Sequence, residues 1–322
     1  GVGEIYERIF IVDPIMDGDR VAGAVGFSVR ENKFYIFKAK AVMVAMGGAV
    51  HVFKPRSSGE GLGRAWYPPW NSGSSAYFTL KAGAEMTCQE VRFIPVRFKD
   101  AYGPVGAWFL LFKSRATNAF GGEYMVERRG ELDNWKPYGS VKPIPANLRN
   151  YLGMLDVMEG KGPIYMRTEE AIQKIADQYK GDDKAYKKKM KELESEAWED
   201  FLDMTISQAI LWAASNVQPE ERSSEIAAAE PYFIGSHSGA SGAWVSGPAD
   251  LQSKDTKDEY FWGYDNMSTV KGLFCAGDAS GASSHKFSSG SHAEGRIAAK
   301  AAIKFIVENK GAVAVDQAAV EA

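Results

Sequence analysis

The sequence predicts an α/β protein whose parallel sheet is interrupted by a long insertion, and two stretches carry that expectation. Gly272-Leu-Phe-Cys-Ala276 is a short apolar run ending at Gly277-Asp278, the pattern of a buried strand that delivers a carboxylate at its carboxyl end. A loop of small residues follows. Ser291-x-x-Glu294 then has the spacing of a capping box, opening a helix through about Val307. Ala41-Val-Met-Val-Ala-Met-Gly47-Gly48 is a second buried strand, running into a glycine pair. The two strand ends lie more than two hundred residues apart, so one sheet built from both must enclose an inserted segment. Strand, small-residue loop and fresh helix N-terminus suit a cradle for an anion or an electron-rich ring. By themselves they suit an ordinary strand–loop–helix crossover equally well.

The remaining elements follow from alternation, turn residues and periodicity. Residues 5 to 40 alternate apolar and polar, with turn signals at Asp17-Gly18-Asp19 and Glu31-Asn32-Lys33, so Val21 to Val29 and Lys33 to Ala39 read as an antiparallel hairpin. From Ser57 to Ser75 the composition turns to Gly, Ser, Pro and Trp, which makes a loop. Its Trp66 and Trp70 either pin the loop to the core or stack on a flat ligand. Ala76 to Ala84 reads as a helix ended at Gly83, and Glu85 to Phe98 as one extended segment. Tyr102 to Phe112 carries too many bulky apolar residues for a surface loop and is core or the wall of a pocket. Glu123 to Arg129 is a short helix or strand, and Asn134 to Pro145, with three prolines, is irregular. Helices are expected over Ala146 to Glu159, Thr168 to Tyr179 and Lys184 to Asp203, the last capped by Asp182-Asp183. Lys187, Lys188 and Lys189 stand opposite Glu192, Glu194 and Glu196 at helical spacing, which reads as a solvated face.

At 322 residues the chain is long enough for about two domains. A formal charge of −3 points to no nucleic-acid or membrane-surface partner. The longest apolar run, around Ala107 to Phe112, is too short to be transmembrane. Cys88 and Cys275 alone cannot build a disulfide framework or ligate an iron–sulfur cluster, and both read as buried small hydrophobes. His51, His237, His285 and His292 show no metal spacing, so no metal site is expected. No Gly-x-Gly-x-x-Gly fingerprint follows a first strand, from which we expect a chain that lacks the N-terminal part of a dinucleotide-binding domain.

Ala45-Met46-Gly47-Gly48 resembles the Ala-Thr-Gly-Gly turn, and Gly272-Leu-Phe-Cys-Ala-Gly-Asp278 the Gly-Leu-Phe-Ala-Ala-Gly-Glu segment, of the fumarate reductase and succinate dehydrogenase flavoprotein family. His237-Ser-Gly-Ala-Ser-Gly242 resembles that family's His-Tyr-Thr-Met-Gly-Gly, with the histidine and last glycine kept. The resemblance implies an FAD-binding domain of fumarate reductase flavoprotein type over residues 1–93 and 233–322, with an inserted α+β capping domain over residues 94–232.

Two departures bear on the chemistry. Ile94-Pro95-Val96 followed by Arg97 stands where the family has His-Pro-Thr. His285-Lys-Phe-Ser-Ser-Gly-Ser291 stands where it has Asn-Arg-Leu-Gly-Gly-Asn-Ser, which removes an arginine ligand for dicarboxylates. The stretches around Trp66, Arg97, Trp108 and His237 instead resemble the branch that handles a sulfonyl nucleotide. What this implies is two-electron reduction of adenylylsulfate to AMP and sulfite, or the reverse, with flavin N5 attacking sulfur. Arg97 and His237 would be catalytic, holding sulfate oxygens. Trp66, Gly106, Phe109, Leu110 and Arg149 would face the substrate. Ala45, Met46, Gly47, Gly48, Trp66, Gly277, Asp278, Ser288 and Ser291 would hold FAD. Electrons would come from a ferredoxin-like iron–sulfur beta subunit, in the cytoplasm or, through partners, on the inner face of the membrane. The competing expectations are a fumarate reductase, succinate dehydrogenase or aspartate oxidase-like flavoprotein, and a non-catalytic electron-relay subunit that binds flavin or nucleotide.

Overall fold

The computed structural model describes residues 3–50, 72–89, 96–99, 105–142, 144–214, 216–228, 233–234, 241–247, 260–281, 287–316, 318 and 320. The chain divides into two compact units, the first made of Gly1–Phe53, Tyr67–Phe93 and Phe233–Ala322, the second of Lys54–Trp66 and Ile94–Tyr232.

The first unit opens with three antiparallel strands, β1 (Ile9–Asp17), β2 (Arg20–Ser28) and β3 (Phe34–Lys38), in the order β1-β2-β3. The hairpin expected from the alternation is β2–β3, and β1 adds a third strand through the Asp17–Arg20 turn. Next come β4 (Val42–Val44), β5 (Ala49–Val50), α1 (Ser74–Lys81) and β6 (Met86–Thr87). The Glu85 to Phe98 segment is thus not one strand: its first end, β6, belongs to the first unit and its last to the second.

The second unit contains β7 (Val96–Phe98), α2 (Gly106–Leu110), β8 (Ala116–Thr117), α3 (Tyr124–Glu127), α4 (Ala146–Met158), β9 (Ile164–Met166), α5 (Thr168–Gln178), α6 (Asp183–Ala214) and β10 (Ser224–Ala228). Its strands form an antiparallel sheet in the order β7-β10-β9-β8. Segments Arg129–Trp135 and Tyr138–Ser140 form 3₁₀ turns, the second of them within the Asn134 to Pro145 stretch expected to be irregular. The Asp182 carboxylate caps α6, accepting from the Ala185 N–H at 2.9 Å. This helix runs well past Asp203, because its last turns carry Trp212 into the core. There the Trp212 ring meets Phe98 edge-on with centroids 4.9 Å apart, and Phe98 in turn meets Trp108 at 6.4 Å. Burying each such ring contributes on the order of 1.5–3 kcal/mol, enough to override the polar, weakly patterned composition of the helix. On its outer face Lys188 and Lys189 pair loosely with Glu192, at 3.9 and 3.8 Å, as a solvated face should.

Returning to the first unit, β11 (Phe233–Ile234) pairs with β5, β12 (Gly242–Ala243) pairs with β6, and β13 (Leu273–Cys275) runs parallel to β4 with Leu273 opposite Val42 and Cys275 opposite Val44. The last helix, α7, spans Phe287–Glu308. Val21, Val44, Phe78, Leu273 and Cys275 pack together as the centre of this unit. Arg20 ties its parts: the guanidinium donates to the Lys40 carbonyl at 2.7 Å and lies 5.0 Å from the centroid of the Phe305 ring on α7. Among the described residues no helix is long and apolar enough to cross a membrane.

Two expectations are corrected. The capping box at Ser291 does not form: α7 begins four residues earlier, and the Glu294 carboxylate accepts from the Gly277 N–H at 2.9 Å instead of from its own helix end. Serine and glycine are weak helix formers, so Ser288 to Gly290 read as loop, yet they are helical here. Cys275 is buried, but Cys88 is exposed, because φ of +54° directly after β6 breaks the alternation that would have turned it inward.

Beneath the end of α4, Asp156 is 1% exposed and accepts from Asn118 Nδ2 at 2.8 Å and Arg128 Nε at 2.5 Å. Asn118 Oδ1 accepts in turn from the N–H groups of Phe120 and Gly122, closing that loop. Glu159 pairs with Arg128 and, at 3.1 Å, with Lys161. These cations hold its carboxyl at about 2, below the ordinary 4.5, with Arg128 the larger cause. Asp156→Ala should lower stability by about 1–3 kcal/mol, since it leaves the buried Asn118 Nδ2 without its acceptor and Arg128 held by Glu159 alone, and chemical denaturation at unchanged m-value measures this. A depressed carboxyl pKa stabilises the fold above the unfolded value and loses that contribution as the pH falls from about 4.5 toward 2. Glu159→Gln should therefore flatten the acid limb of the stability profile.

Candidate functional site

The β4–β13 ladder continues past both strands. The Ala276 N–H donates to the Val44 carbonyl at 3.1 Å, so the chain segments leaving the two strands start side by side. From β4 the chain passes exposed Ala45 and Met46 to Gly47, whose φ of +76° is a left-handed conformation that costs other residues about 1–2 kcal/mol. Ser75, in the first turn of α1, fixes that turn by donating from Oγ to the Gly47 carbonyl at 2.7 Å. From β13 the chain passes through a 3₁₀ turn, Gly277–Ala279, whose first N–H is held by Glu294 from α7. Ser291 is one turn before Glu294 and lies against Gly277.

Between these turns is a cleft of about 180 Å³ lined by Gly48, Ser75, Met86, Ser241, Gly242 and Asp278, among others. One wall is β12, and its approach is possible only for glycine. A Cβ on Gly242 would stand 2.6 Å from the Gly281 nitrogen and 2.8 Å from the Ala279 carbonyl oxygen, both backbone atoms that cannot swing aside. Just before it, the Ser241 hydroxyl is buried and has no hydrogen-bond partner among the described residues. Glycine backbone, a half-buried carboxylate and, among the described residues, an unsatisfied hydroxyl suit the polar edge of a flat cofactor such as a flavin. Among the described residues no cluster of three His, Cys, Asp or Glu is placed to hold a metal ion.

Of the residues expected to hold FAD, Gly48 and Asp278 line this cleft, Gly47 and Gly277 shape the turns behind them, and Ser291 lies inside α7, away from the helix end it was expected to form. Ser288 is in the first turn of α7, with its side chain outside the described residues, as are Trp66 and His237 altogether. Ser75, Ser241 and Glu294 were not anticipated. The contacts of Ser75 and Glu294 span 28 and 17 residues, and no local pattern announces them.

In the second unit, Arg97 is on β7 opposite Ala227, with its side chain outside the described residues. Gly106 opens α2, which buries Ala107 and Trp108, leaves Phe109 half-buried and exposes Leu110, so the apolar run is partly core and partly surface. Arg149, on α4, places its guanidinium carbon 4.9 Å from the Phe109 ring centroid, and its buried Nε has no partner among the described residues. Burial pulls its pKa below the ordinary arginine value. A desolvated, incompletely bonded guanidinium stacked on a ring is suited to an anion or a further π-face. Gly242→Ala should open the β6–β12 pair and lower the melting temperature by several degrees, measured by thermal circular dichroism.

No protein-family model matches the chain. Adenylylsulfate reductase subunit alpha of Megalodesulfovibrio gigas is 51% identical over 319 residues, which are 96% of this chain and 47% of that protein. A solved adenosine-5-phosphosulfate reductase in complex with sulfite, as a covalent adduct, is 56% identical with a TM-score of 0.87, over 98% of this chain and 49% of that one. A quinol-fumarate reductase solved with menaquinol shares the fold at 18% identity and a TM-score of 0.57, over 97% of this chain and 47% of that one. The chain thus spans about half the length of the relatives it matches. By sequence and by fold it is a relative of the adenylylsulfate reductase alpha subunit, with the α/β architecture of the fumarate reductase-type flavoproteins.

Proposed function

We propose that the protein containing this chain binds FAD in the cleft between the 45–48 and 277–279 turns and interconverts adenylylsulfate with AMP and sulfite. The observation that carries this reading is 51% identity, over nearly the whole chain, to an adenylylsulfate reductase alpha subunit. The solved complex of a 56% identical protein with sulfite supports the same substrate class. Bound flavin supplies the two-electron couple. This chain's residues bind and orient. Gly47 and Gly48 let backbone approach the cofactor, Asp278 accepts from its hydroxyl groups, and Ser288 and Ser291 on α7 complete the contact set. We assign the adenine nucleotide to the surface of Gly106, Phe109, Leu110 and Arg149, where the stacked guanidinium and the Leu110 side chain offer a cationic edge and an apolar face. Trp66 is assigned to the flavin and substrate surfaces, and Arg97 and His237 to the sulfate oxygens, offsetting charge that develops as the sulfur–oxygen bond breaks. Residues 1–93 and 233–322 would act as the flavin domain and 94–232 as its cap. An iron–sulfur beta subunit would deliver the electrons, and the assembly would work in the cytoplasm.

The test is reduction of an artificial acceptor by the full-length protein with sulfite and AMP, against fumarate or succinate as control. AMP-dependent turnover with sulfite and none with dicarboxylates is expected, and the opposite result overturns the assignment. Arg149→Ala should raise the KM for AMP about 10- to 100-fold, the worth of one charge-assisted contact. Arg97→Ala and His237→Ala should lower kcat about 10²- to 10³-fold. Steady-state kinetics on the three variants separates these roles.

A further inference from the structure

The wall of the cleft holds a hydroxyl that nothing in the described structure satisfies. Ser241 immediately precedes β12, lines the cleft, is 0% exposed, and its Oγ has no hydrogen-bond partner among the described residues. Leaving a buried hydroxyl unpaired forfeits its hydrogen bonds to water with nothing in return, and native structures keep few such groups. Alanine would fill nearly the same space without that cost. The nearby polar groups do not relieve it: the Ser75 hydroxyl donates to the Gly47 carbonyl, and the Gln89 amide donates to the Thr87 carbonyl at 3.3 Å. The strand that carries Ser241 is also held in place tightly, since Gly242 touches the 279–281 backbone without room for a Cβ. A hydroxyl at a fixed position in the wall of this cleft is a preorganised donor.

We infer that Ser241 is a further cofactor-binding residue, donating a hydrogen bond from Oγ to an acceptor atom, a carbonyl or ring nitrogen, of the flavin in this cleft. The inference rests on the flavin reading given above. Its strength comes from satisfying a group that is otherwise desolvated and unpaired, so its loss is felt in cofactor affinity before it is felt in turnover.

The experiment titrates FAD into the full-length apoprotein and follows flavin fluorescence and the visible absorption band. Ser241→Ala, Ser241→Cys and Ser224→Ala are compared with the wild type. Ser224, on β10, is likewise a buried serine whose Oγ has no partner, and it lies in the other unit, so it controls for serine truncation as such. Ser241→Ala is expected to weaken FAD binding about tenfold and to shift the bound flavin's band. The thiol of Ser241→Cys, a weak donor, should fall between, and Ser224→Ala should match the wild type. Wild-type affinity and spectrum in Ser241→Ala overturn the inference while leaving the flavin reading intact. Should that variant not fold, wild-type affinity in Ser241→Cys overturns it. A wild-type protein that binds no FAD at all overturns the flavin reading, and the role of Ser241 with it.

Discussion

Three residue pairs of parallel ladder, Val42 with Leu273, Met43 with Phe274 and Val44 with Cys275, set the geometry of the first unit. A parallel pair cannot be closed by a tight turn, so the connection between these strands is free to carry a large insertion. Here it carries the sequence of the second unit. Parallel strands also end on the same side, which is where open α/β sheets place ligands. That is why Gly48 and Asp278, distant along the chain, line one cleft. Side chains from elsewhere then fix the turns: Ser75 holds the Gly47 carbonyl, Glu294 holds the Gly277 N–H, and Gly242 admits β12 against the 279–281 backbone.

The second unit is organised by a different constraint. Its antiparallel sheet packs on an aromatic core of Phe98, Trp108 and Trp212, and the demand for the last of these rings keeps α6 helical well past the end its charge pattern suggests. Around that core sit two half-buried cations with opposite fates. Arg128 is saturated by Asp156 and Glu159, and so serves structure. Arg149 is half-buried, with a ring beneath it and an Nε that has no partner among the described residues. The same chemistry is thus spent on cohesion at one end of α4 and left available at the other, which is the physical reason to read the Arg149 surface as a binding face.

The amino-acid sequence alone determined the strands at 42–44 and 273–275, the hairpin of β2 and β3, the helices of 146–158 and 168–178, and the glycine and aspartate at the strand ends, because each is encoded by contiguous hydrophobicity, periodicity or turn chemistry. Tertiary structure decided what depends on distant partners. The role of Glu294 was set by the Gly277 turn, not by the local Ser-x-x-Glu spacing, and α7 begins at Phe287, ahead of that motif. Cys88 turned outward through a left-handed kink that its neighbours do not announce. The Ser241 hydroxyl is unsatisfied because folding removes it from water without supplying a partner among the described residues. Local pattern fixes which residues can lie on a strand or helix; desolvation and close approach, which decide what those residues do, arise only when segments far apart in the chain are brought together.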